Sequence, residues 1–116
     1  VRLYHYTCSH GAEGIRKDLC LKGNPHPLMP ESYGPLIWLT DLDSPDRQAL
    51  GLTSRLLRCD RTTHRVTVDT ELALHWPEFA RTLSRRLRDL LEQDAKPIHW
   101  YVGGPHRIAA IRVEGL

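Results

Sequence analysis

The chain has 116 residues, a length that folds around one core rather than dividing in two. Its apolar share of 41% is too high for a disordered segment, and no apolar run approaches the roughly 18 residues of a membrane span. A formal net charge of +2 falls short of the basic excess of a general nucleic-acid binder, and three cysteines without a CxxC pair do not make a disulfide scaffold.

Val1–Tyr6 alternates like a strand, with Leu3 and His5 on one face and Tyr4 and Tyr6 on the other. Because this pattern starts at residue 1, no signal peptide is expected and a cytoplasmic protein is. Ser9 is placed to cap a short helix carrying Ala12, Ile15 and Leu19, interrupted by Gly11 and Gly14. Gly23–Pro35 holds three prolines before its last residue and reads as a long loop, the kind of segment that often carries function. Leu36–Thr40 is almost wholly apolar and predicts a central strand covered on both faces.

Ser44, Pro45 and Asp46 predict a short helix within Asp41–Leu52, and Thr53–Leu57 and His64–Thr70 read as further strands. Pro77 opens the one long helix, with Phe79, Leu83, Leu87, Leu90 and Leu91 on its apolar face and Arg81, Arg85 and Arg88 on another. Ile98–Val102 and Ile108–Val113 close the chain as two strands around a Gly103-Gly104-Pro105 turn. The fold class is therefore α+β, a single compact domain over residues 1–116.

Three clusters stand out: His5-Tyr6-Thr7, Trp38 to Thr40, and His99-Trp100-Tyr101. Strands seldom bury an imidazole without giving it hydrogen-bond partners, so histidines beside aromatic rings in two strands mark a candidate site. His5, Cys8 and His10 lie close together, with Cys20 and His26 further on, but their spacing matches no paired zinc pattern, and no metal is expected. The 13 arginines outnumber the three lysines; those at 81, 85 and 88 read as a solvated face, the alternative being contact with nucleic-acid phosphates.

Leu3-Tyr4-His5-Tyr6-Thr7, the helix pattern of Ile15, Leu19 and Leu21, and Ile37-Trp38-Leu39-Thr40 together resemble the opening of the ADP-ribosyltransferase superfamily. The tail Ile98-His99-Trp100-Tyr101-Val102 is similar to that family's closing strands. The resemblance implies a split β-sheet core that binds NAD as substrate and transfers ADP-ribose to a macromolecular acceptor, nucleic acid or protein, or else cleaves NAD. It implies a ribose-binding His5 supported by Thr7, a nicotinamide platform at Trp38, stacking alternatives at Tyr6 and Tyr33, and a further cofactor contact at Thr40. His99 stands where the family has its catalytic glutamate, and Glu31 in the long loop is the candidate to supply the missing carboxylate. A neutral imidazole accepts a hydrogen bond but adds no negative charge, which turns attention to RNA 2′-phosphotransferase relatives that use histidines there. A non-catalytic module that binds a nucleotide or a protein is the remaining alternative. The size and arginine content suit a toxin or bacteriophage effector.

Overall fold

The computed structural model describes residues 1–52, 59–104 and 106–116. Helices and strands are mixed along the chain in an α+β arrangement. A six-stranded antiparallel sheet forms its centre. In chain order the elements are β1 (Arg2–Thr7), α1 (Ser9–Asp18), β2 (Cys20–Leu21), β3 (Ile37–Thr40), β4 (His64–Asp69), β5 (Leu74–His75), α2 (Trp76–Ala80), α3 (Arg85–Glu92), β6 (Trp100–Gly103), β7 (Ile108–Ala109) and β8 (Arg112–Gly115). The large sheet runs β5-β6-β3-β1-β4-β8, and β2 pairs with β7 in a separate two-stranded sheet. Among the described residues no helix is long and apolar enough to cross a membrane.

Paired residues of antiparallel strands point to the same face, so the register sorts the core. Tyr4 pairs Thr40, Trp38 pairs Val102, and Thr40 pairs Trp100, which puts these side chains together on one face. There Trp76, Phe79 and Leu83 cover Trp100, Val102, Leu36 and Met29. Leu3 and His5 face the other way with Val68, Val66 and Leu39. Leu21 and Ile108 from the small sheet and Ile15 from α1 cover that second face. β3 is covered on both sides, as its unbroken apolar run predicts.

Several local expectations are corrected. Cys8, not Ser9, holds the N-cap position of α1, while Leu19 ends the helix at φ 57°, exposed, instead of extending its buried stripe. No helix forms over Asp41–Leu52. The segment makes a single turn in which Asp46 accepts from the Ala49 amide and Leu50 donates to the Asp46 carbonyl. The long helix from Pro77 is broken into α2 and α3, because Ser84 turns extended and its Oγ caps the Leu87 amide at 3.2 Å. The closing pair is not a hairpin: β6 pairs β3 and β5, β7 pairs β2, and β8 pairs β4. Residues 97–99 form a 3-10 turn ahead of β6, and the expected strand Thr53–Leu57 lies outside the described residues.

Candidate functional site

Strand β1 joins β4 through six consecutive residue pairs, and β3 joins β6 through four. Between β1 and β3, however, the ladder has a single pair, Tyr4 with Thr40. Past that pair no further backbone pairing joins the end of β1 (His5 to Thr7) to the start of β3 (Ile37 and Trp38), so the ladder is broken there. Backbone groups along such a break need other partners. His5 supplies one: its Nδ1 lies 2.8 Å from the Trp38 carbonyl oxygen.

That contact decides the tautomer. A carbonyl only accepts, so Nδ1 carries the proton and Nε2 is left with its lone pair. Burial lowers the His5 pKa below that of a free imidazole and outweighs the opposing pull of the Trp38 carbonyl; the positive charge of Arg61 lowers it further. The ring is therefore neutral at pH 7 and offers one acceptor. It is only partly covered, and no hydrogen bond to Nε2 is found among the described residues.

The Trp38 indole projects to the opposite face from His5, following the register. It is packed by Trp76 and Trp100, with ring centroids 5.6 and 6.2 Å away, and the His26 ring approaches it at 5.6 Å. Beside His26 is a groove of about 400 Å³ walled by Pro25, Pro27, Met29, Pro30 and Glu31. Burial also lowers the His26 pKa, so a second neutral imidazole stands at this groove. Glu31 begins a 3-10 turn and is exposed at the groove's edge. The His5 ring and the Trp38 indole therefore lie on opposite faces of the sheet.

The other candidate residues are placed as follows. Tyr6 is buried, and its hydroxyl donates to the Leu42 carbonyl at 2.8 Å. Thr7 is buried against Gly11 of α1. Thr40 Oγ1 accepts from the Leu42 amide, and Tyr33 donates to the Thr82 carbonyl at 2.7 Å. The Tyr6, Thr40 and Tyr33 hydroxyls are thus engaged by the chain's own backbone. His99 is not brought to this end of β3. It precedes β6 beside the far end of β3, where its Nδ1 donates to Asp41 Oδ1 at 2.8 Å. Tyr101, whose pKa is raised by burial and by Asp41, stacks on His75 nearby with centroids 4.8 Å apart.

Sequence reasoning named His26 only as a distant member of the rejected zinc set, and it missed Asp41. His26 sits between two prolines of the long loop, which is a weak sign that its ring is held. Asp41 directly follows the apolar strand and was legible only as the start of a turn. Among known protein families, curated proteins and solved structures, none matches this chain.

Proposed function

We propose that this chain binds NAD beside the break in the β1–β3 ladder as an ADP-ribosyltransferase-like enzyme, moving ADP-ribose to a nucleic acid or protein or cleaving NAD. One observation carries the reading: β1 and β3 share a single residue pair, and beside it the neutral His5 ring has Nδ1 committed to the Trp38 carbonyl, which leaves Nε2 as an acceptor. A ribose hydroxyl is a matching donor. Arg61, near enough to His5 to depress its pKa, supplies positive charge for a pyrophosphate. On the other face of the sheet, the His26 ring beside the Trp38 indole supplies aromatic surface for a base.

Loss of nicotinamide leaves positive charge on the ribose, and the catalyst has to stabilise that charge more than it stabilises bound NAD. His99 is paired with Asp41 at the other end of β3, so in this reading Glu31 is the candidate for the carboxylate role. The position of His99 also favours a second reading, a nucleotide-binding module that holds NAD without turning it over. An arginine-rich effector of bacterial or phage origin fits either reading.

The test is thermal denaturation with and without NAD, coupled to chromatography for released nicotinamide in the presence of cell lysate. NAD is expected to raise the melting temperature, because a ligand bound only by the folded chain stabilises it. His5→Ala is expected to remove that rise. Released nicotinamide supports the enzyme; a rise without release assigns the binding module. An unchanged melting temperature at millimolar NAD overturns both.

A further inference from the structure

The large sheet ends on two strands of unequal character. β5 has two residues and runs straight into α2, so it presents little edge. β8 has four residues, pairs with β4 on one side, and has no strand on its other side among the described residues. It contains neither lysine nor proline, the residues that commonly keep a bare edge from pairing. Ile111 and Leu116, both well exposed, stand at its two ends.

The ladder fixes where the backbone groups of β8 point. The Leu116 amide donates to the Thr63 carbonyl at 2.9 Å, one step beyond the Gly115–His64 pair. Hydrogen-bonding direction alternates along an antiparallel strand, so Arg112 and Glu114 turn their N–H and C=O groups to β4, and Val113 and Gly115 turn theirs outward. Outside the ladder, no hydrogen bond to the Val113 or Gly115 backbone is found among the described residues. The side chains alternate as well. Val113 pairs with Val66 and packs on the second core face, while Arg112 and Glu114 share the opposite face with their Nε and Oε1 atoms 3.4 Å apart. Glu114 Oε1 also takes Arg65 at 2.8 Å, and the Arg112 side chain is 60% exposed.

We propose that β8 is the interface of a homodimer, in which two copies pair antiparallel about a twofold axis at Val113 and join their sheets into one. Val113 then faces Val113 of the second copy, and the two exchange a pair of N–H···O=C bonds. Arg112 faces Glu114 of the second copy, and the symmetry makes this contact twice. These are the non-hydrogen-bonded positions, where Cα atoms approach to about 4.5 Å and side chains meet most closely. An axis on Arg112 or Glu114 would set like charges face to face, so the charge order selects Val113. A twofold contact of this kind is closed. The paired strand is short and its area is below that of a permanent interface, so the dimer forms only in concentrated protein. The inference is independent of NAD binding, since β4 separates β8 from β1.

Sedimentation equilibrium of the purified chain, from low micromolar to millimolar concentration, is expected to show a mass rising from one chain toward two. Over the same range, amide hydrogen exchange read by NMR is expected to slow at Val113 and Gly115 while the amides of β5 keep their rates. This measurement tests the edge without a substitution. Arg112→Glu sets like charges opposite one another and is expected to weaken the dimer by roughly tenfold or more, whereas Arg112→Lys keeps it. Circular dichroism checks that both variants are folded. Three results would each overturn the proposal: a chain that stays monomeric at millimolar concentration, Val113 and Gly115 amides already protected at micromolar concentration, or a dimer that the folded Arg112→Glu variant forms as tightly.

Discussion

His5 shows how one contact sets both a charge state and a direction of hydrogen bonding. Its Nδ1 is committed to the Trp38 carbonyl, and burial disfavours a second proton on the ring. The folded pKa lies below the 6.5 of an unperturbed imidazole, so the unfolded chain binds a proton first as the pH falls. The stability that this neutral ring contributes is complete above about pH 6.5 and is lost as the pH falls through the folded value. Urea unfolding at about pH 7 and about pH 5 is therefore expected to show a smaller acid loss in His5→Gln than in the original chain. Glutamine keeps a donor for the Trp38 carbonyl but does not titrate. His26, half-buried and also neutral, contributes to both proteins and cancels in the comparison. Equal acid losses would contradict the buried, neutral assignment of His5.

At the scale of elements, the joint between β1 and α1 is the most constrained. A Cβ on Gly11 would lie 2.1 Å from Thr7 Oγ1 and 3.3 Å from Thr7 Cβ, so the helix packs directly onto the end of the strand. Alanine is ordinarily the better helix former by about 1 kcal/mol. Here overpacking opposes that gain, and Gly11→Ala is expected to destabilise the fold by about 1–2 kcal/mol net in urea unfolding. The double variant Gly11→Ala, Thr7→Ala is expected to recover part of the loss, since the clashing hydroxyl is gone. A Gly11→Ala chain as stable as the original would mean that α1 stands off from β1.

The elements also show what a linear reading captures. β1, β3 and β4 were legible because alternation or an unbroken apolar run marks a strand directly, and the two covered faces of β3 follow from that run. The break between α2 and α3 was not legible, because the apolar spacing from Phe79 to Leu91 continues through it. Only Ser84 signals the stop, and a serine within a periodic run is ambiguous until its Oγ is seen on the Leu87 amide. The chain's end failed for another reason. Gly103 and Gly104 look like a hairpin turn, yet the partners of β6 and β8 lie far away in sequence, and strand pairing of that range leaves no local mark.

For the whole molecule, the decisive feature is how β1 meets β3, and no composition or periodicity reveals that these two strands share one residue pair. His5 was legible as a candidate because an imidazole in a strand has to be satisfied. Its orientation, opposite to the Trp38 indole, follows from register, as does the placement of His99 beside Asp41. The two ends of β3 thus carry different chemistry: an acceptor imidazole at the break in the ladder, and an imidazole–carboxylate pair away from it.

In the proposed site the His5 ring, protonated on Nδ1, meets NAD through Nε2. Nitrogen-15 NMR of the histidine side chains reads this directly. His5 is expected as the Nδ1-protonated tautomer in the free chain, and NAD is expected to shift its Nε2 resonance while that of His75, bonded to the Ile98 carbonyl, stays in place. An Nε2-protonated His5, or a His5 signal indifferent to saturating NAD, would contradict it.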